Sequence, residues 1–258
     1  MPADTAAAPS DVDRFGYLLA LGDDALIAAQ RLAEWTANAP ELEEDVALAN
    51  IALDQLGQAR LLLSYAAEVE GAGRDEDSLA YLRDEREFRN CLLVEQPNGD
   101  FAVTIAKLLF LAAYQHGLYG ALRASTDRRL AAIAAKATKE TAYHVEHAAL
   151  WTKRLGDGTQ VGHERMTDAV ALVWPYTHEL FTPWVPDGLV AAGVAVDPAS
   201  LRAGWLSTVE PVLAEATVER PDDGWRPGGG RDGVHTEAMG FLLAELQYLH
   251  RSHPGASW

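Results

Sequence analysis

The apolar residues of this chain recur at helical spacing in four long segments, and a connection over residues 74–99 separates the second from the third. Phe15, Leu18, Leu19, Leu26, Ala29 and Ala33 share one stripe, and Leu42, Val46, Ala49, Leu53, Leu56 and Leu63 a second. Ile105, Leu108, Leu109 and Leu118 mark the third. The fourth runs Leu130, Ala134, Ala137, Thr141, His144, Ala148, Trp151 and Leu155. Simple up-and-down bundles join neighbours by short loops, so a connection of this length marks a chain that crosses over between two helical pairs.

Local signals place the boundaries. Ser10 or Asp11 caps the first helix, Ala39-Pro40 breaks it, and Pro40 suits the first turn of the second. Glu41, Glu43, Glu44 and Asp45 complement that helix's positive end, and Gly71-Ala72-Gly73 stops it. The connection is expected to hold one short helix, around Leu79 to Phe88, before the turn Gln96-Pro97-Asn98-Gly99. Asp100 and Asp127 cap the third and fourth helices, and Gly156 and Gly158 end the latter. The fold class is therefore all-α: a ferritin-like four-helix bundle with a long crossover between its second and third helices, plus extra C-terminal helices. Those extras are predicted at Glu164–Leu180, Pro198–Glu219 and Thr236–Arg251, with Pro175 and Pro211 kinking or interrupting the first two. Residues 1–13 read as a disordered arm and 14–258 as one domain, with the bundle over 14–156 and the helical extension over 163–252. Gly224 to Gly233 is the stretch expected to be most flexible.

Composition removes several function classes. With 21 Lys+Arg against 38 Asp+Glu the net charge is −17, which repels nucleic acids and anionic membranes. Cys91 is the only cysteine, so an intramolecular disulfide and a cysteine-rich zinc site are excluded. No run approaches the roughly 18 uninterrupted apolar residues of a membrane span, and the N-terminus lacks the pattern of a signal peptide. A cytoplasmic protein is expected.

The chemistry-bearing residues are unevenly divided. Glu140 and His144, four apart on the fourth helix, share a face, and His144 lies on the apolar stripe itself. A bundle that activates oxygen sets Glu from two helices and Glu-x-x-His from the other two around a metal pair. On the second helix the matching positions hold Gln55 and Gln58, neutral amides that cannot offset a metal's charge. Glu34 is the candidate carboxylate of the first helix. Asn50, Asp54 and Gln58 form a line at four-residue spacing that reads as a buried hydrogen-bonding row. The bland reading, a buried histidine held by a carboxylate, stands beside a di-metal oxidase built on Glu34, Glu140 and His144. Trp174, Tyr176 and Trp184, near the proline breaks, are candidates for a protein interface. Arg226 and Arg231, flanking Gly228–Gly230, are candidates for contact with an anion such as CoA.

Several stretches carry a resemblance. They are Leu21-Gly22-Asp23-Asp24, Gln30-Arg31-Leu32-Ala33-Glu34-Trp35, Leu48-Ala49-Asn50-Ile51, Leu56-Gly57-Gln58-Ala59-Arg60, Leu93 to Gly99, Lys139-Glu140 with Tyr143-His144, and His235-Thr236-Glu237. With them the chain resembles, over about residues 15–258, the C subunits of bacterial 1,2-phenylacetyl-CoA epoxidases. The resemblance implies a ferritin-like, non-catalytic subunit that pairs with a homologous A subunit. It implies that the A subunit carries the di-iron centre and that an NADPH-linked reductase supplies electrons. It implies no catalytic, cofactor-binding or metal-ligating residue in this chain, with Glu34, Gln55, Gln58, Glu140 and His144 as degenerate di-iron positions. A homodimer in isolation, and whether Lys107 fills the former metal cavity, stay open.

Overall fold

The computed structural model describes residues 10–256, so most of the predicted N-terminal arm lies outside the described residues. Among the described residues there are ten α-helices, three 3-10 segments and no strand. α1 (Asp11–Ala33) starts at Ser10, whose hydroxyl oxygen accepts the Asp13 N–H. Asp11 to Asp13, expected in the arm, thus form the first turn of α1. α2 (Leu42–Glu70) begins two residues later than expected, and Pro40 lies outside it. The reason is the turn before it: Ala37 takes φ 63° and donates its N–H to Asp45 Oδ1 at 2.9 Å, which holds the linker out to Glu41. Gly71, at φ 68°, ends α2 in the left-handed conformation that glycine adopts without strain.

The crossover holds more than one short helix. α3 (Glu76–Tyr81) is capped by Asp75, a 3-10 turn covers Glu85–Glu87, and α4 spans Leu92–Glu95. The helix expected over Leu79 to Phe88 breaks because Arg83 turns into the core, where its guanidinium binds Asp23 and the Leu79 and Glu87 carbonyls. α5 (Phe101–Leu122) and α6 (Arg128–Gly156) begin at the predicted caps Asp100 and Asp127.

Contacts at the two ends give the direction of each helix. At one end the Tyr65 hydroxyl donates to Asp127 at 2.7 Å, and Arg14 lies 3.8 Å from the same carboxylate. At the other, Trp35 Nε1 donates to Thr104 at 2.9 Å, and Phe101 packs edge-on against both Trp35 and Trp151. The crossover therefore runs the length of the bundle, and α5 runs in the same direction as α2. α1 and α2 lie so close that a Cβ on Gly22 would stand 2.7 Å from the Leu63 side chain. α5 is long and apolar enough to cross a membrane by length and composition, but 78% of its apolar window is buried inside the protein, which makes it the core helix.

α7 (Gln160–Val173) stops where Pro175 lacks an N–H, and the chain tightens into a 3-10 stretch, Trp174–Phe181. α8 (Asp187–Ala191) precedes α9 (Pro198–Glu215), which continues through Pro211 and ends four residues short of expectation, ahead of Thr217 at φ 56°. α10 (Glu237–Ser252) is last. These segments share the bundle's core: Phe110 of α5 meets Trp174 and Trp205 at 5.5 and 5.7 Å, and Trp205 Nε1 donates to the Phe110 carbonyl. Trp174, at 1% exposure, is a core residue and not an interface one.

Candidate functional site

Four of the five sequence-predicted positions lie on the facing sides of α2 and α6, and each has a polar neighbour, although Gln58 Oε1 and His144 Nδ1 are buried without a hydrogen-bond partner. Gln55 of α2 and Gln115 of α5 exchange reciprocal amide hydrogen bonds of 2.6 and 3.0 Å, both side chains buried. Gln58 Nε2 donates to Glu140 Oε2 at 3.0 Å, and Lys136, one turn earlier on α6, pairs with the other carboxylate oxygen. His144, fully buried, sets Nε2 3.1 Å from Asp54 Oδ2. Burial holds its pKa below the ordinary 6.5 although Asp54 pulls the other way, so the ring is neutral at pH 7. His147, also held low by burial, lies 3.3 Å from Glu44. The α2–α6 seam is thus a ladder of polar pairs. Asp54 and Gln58 of the predicted row take part, while Asn50 is exposed.

Glu34 stands apart from this group. Its two oxygens accept from Arg31 at 2.7 Å and Asn98 at 2.9 Å, at the crossover end of α1. Asn98 Oδ1 in turn accepts from Lys107 Nζ at 3.0 Å, and the Gln96 carbonyl does so at 2.6 Å. Burial, helped by Arg31, lowers the Lys107 pKa to about 7. A cavity of about 30 Å³ lies beside Lys107, walled by Leu32, Leu93, Leu108 and Leu111, with room for about one water. Lys107 and Glu34 thus meet through Asn98, and the first helix's carboxylate is spent on one cation, Arg31, and one amide.

A second buried polar cluster is built on Asp23 and Asp24, neither of which is a sequence-predicted site residue. Asp23 and Asp24 sit mid-α1, both buried, and each takes one buried arginine: Arg83 and Arg231, respectively. Arg231 Nη1 and Nη2 reach Asp24 at 3.0 and 2.6 Å. Glu179 accepts the N–H groups of Leu92, Gly229 and Gly230. Glu95 accepts from Asn90, the Thr236 N–H and His235 Nδ1, the last at 2.7 Å. Burial opposes a charged His235 ring, yet Glu95 and the Phe88 carbonyl prevail, and its pKa is raised. Two expectations fail here. The second half of the glycine-rich stretch is pinned, not the most flexible part, and a Cβ on Gly230 would collide with the Asn90 carbonyl. Arg231 is consumed by Asp24 and is no free anion contact. The available signal is an Asp pair inside an apolar helix stripe, which demands buried cations.

These residues do not fit a metal pair. The Gln58 amide presents a donor, not a lone pair, to Glu140, and the Gln55 oxygen is spent on Gln115. Among the described residues no three His, Cys, Asp or Glu side chains converge as a metal site would require.

An all-helical protein whose second and sixth helices meet through amide and histidine–carboxylate pairs is the class this geometry defines. The chain belongs to the phenylacetic acid catabolic protein family, whose model matches residues 1–258. It is 51% identical over 243 residues to the C subunit of the 1,2-phenylacetyl-CoA epoxidase of Escherichia coli (strain K12), covering 94% of this chain and 98% of that one.

Proposed function

We propose that this chain is the non-catalytic, structural subunit of a phenylacetyl-CoA epoxidase: a ferritin-like bundle that pairs with and supports a homologous di-iron A subunit. The observation that carries the reading is the set of pairs Gln55–Gln115, Gln58–Glu140 and His144–Asp54, around which no three His, Cys, Asp or Glu side chains converge among the described residues. Iron and the NADPH-linked reductase then belong to other components, and the assembly is cytoplasmic. The similarity to one component of a multi-subunit epoxidase supports membership of a complex.

Co-expression with the A subunit, followed by chain-by-chain elemental analysis, tests this. The expected result is a stable complex with iron on the partner chain only. Near two irons on this chain, lost on Glu140→Ala/His144→Ala, would favour the di-metal oxidase instead; absence of co-purification removes the pairing.

A further inference from the structure

A surface pocket of about 470 Å³ opens between the 3-10 stretch after α7, α9 and the loop 220–228, well within the size range of small-molecule sites. Three guanidiniums and an imidazole gather there around one carboxylate, Asp223. Arg202 Nη2 donates to it at 3.0 Å, Arg220 and Arg226 stand 3.7 Å away, and His178 Nε2 is at 3.6 Å. In a chain with 21 Lys+Arg and a net charge of −17, such convergence is a local exception.

The donors are largely unspent. A guanidinium carries five N–H groups, and Asp223 takes a single hydrogen bond from Arg202 and none from Arg226. The His178 side chain is only 9% exposed, and its Nε2 has no hydrogen-bond partner, which a buried polar atom tolerates poorly. Asp223, Glu210 and Glu179, the last a lining carboxylate held by backbone N–H groups, match the three positive charges one for one. Burial, helped by the neighbouring arginines, holds the His178 pKa below 6.5, so recognition here rests on the geometry of guanidinium N–H groups and one neutral imidazole and not on surplus charge. That arrangement suits a phosphate, whose oxygens accept several planar N–H pairs at once.

A second element adjoins the cluster. Trp225, between Asp223 and Arg226 in the chain, is 68% exposed and packs edge-on against Tyr176 with ring centroids 5.9 Å apart. The indole is next in sequence to Arg226 and outside the pocket's own lining, and its exposed face offers a surface on which a base can stack.

We propose that this pocket binds the phosphate-bearing end of a phosphorylated nucleotide, with the phosphate on Arg202, Arg226 and His178 and the base against Trp225. The assignment is independent of the subunit reading, because nothing in it requires a particular reaction.

Calorimetric titration of the full chain at low salt with ADP, CoA and inorganic phosphate tests it. ADP and CoA should bind saturably below about 1 mM, with phosphate at least about ten-fold weaker because it cannot use the indole. Arg202→Ala/Arg226→Ala should weaken all three by at least about ten-fold, and added salt should weaken them further. Trp225→Ala should weaken ADP and CoA while leaving phosphate unchanged. These side chains are exposed, so the variants should match the parent in circular dichroism and melting temperature. No saturable heat up to about 10 mM, or unchanged affinity in the double arginine variant, overturns the site. Phosphate binding as tightly as ADP overturns the nucleotide assignment. CoA binding without ADP does the same, since the ligand would then be held by its acyl-carrying arm.

Discussion

Replacing Arg231 by methionine isolates the cost of an uncompensated charge in this core. The guanidinium makes both hydrogen bonds to Asp24 and also donates to the Ala20 and Arg89 carbonyls at 3.3 and 2.8 Å. Both partners are about 5% exposed, so water cannot replace what is lost. Asp24 would keep only the Cys91 N–H at 2.8 Å. Removing one member of such a buried pair costs about 3–5 kcal/mol, a large share of a total stability of about 5–15 kcal/mol. At roughly 2–4 °C per kcal/mol for a chain of this size, Arg231→Met should lower Tm by about 6–20 °C. Adding Asp24→Asn removes the stranded charge and should recover part of that loss. The exposed pair Arg129–Glu68 provides the contrast: Arg129→Ala should cost no more than about 1 kcal/mol. Thermal and urea unfolding followed by circular dichroism reads all of these. An Arg231→Met protein that melts within about 2 °C of the parent would refute the reasoning, as would an Asp24→Asn/Arg231→Met protein less stable than the single variant.

Three more outcomes are expected. His235 has its pKa raised above 6.5, so the stability it contributes is complete below about pH 6.5 and is lost as pH rises through the elevated value; the stability difference between parent and His235→Gln should shrink from pH 6 to pH 9, and a constant difference contradicts the pairing. Lys107, lowered to about 7 from 10.5, binds fewer protons folded than unfolded between those values, so parent stability should climb with pH across that window and Lys107→Met should lack the climb in denaturant titrations. Gln55→Leu alone strands the Gln115 amide and should cost about 1–3 kcal/mol, whereas Gln55→Leu/Gln115→Leu should be nearly neutral by comparison; additive losses would mean the amides do not act as a pair.

Helices with strong local signals were legible. Ser10, Asp100 and Asp127 cap as their side chains and the following apolar period require. What escaped were features set by partners distant in sequence. Nothing local says that Arg83 will turn inward and split the crossover helix, or that Asp45 will hold the linker and keep Pro40 out of α2. The candidate site shows the same division. The α2 and α6 positions could be read from spacing, and they do face one another. Glu34, at the C-terminal cap of α1, is captured instead by Asn98, a residue of the crossover whose path no periodicity records. The glycine-rich stretch misled because glycine serves two ends: freedom, and close backbone approach. At Gly230 the Asn90 carbonyl makes it the second.

The Asp24–Arg231 pair joins residues 207 apart, so its effect begins during synthesis. At about 5–20 residues per second, Asp24 is made roughly 10–40 s before its arginine exists. Through that interval the nascent first helix carries Asp24 without the partner that makes it tolerable inside a core, and Glu95 and Glu179 likewise await the backbone N–H groups of residues 229–236. The bundle can gather early, but its interior cannot be sealed until residues 229–236 have been made. A chain released before Arg231 would keep buried carboxylates unmatched, which makes an incomplete copy easy for a protease to tell from a finished one.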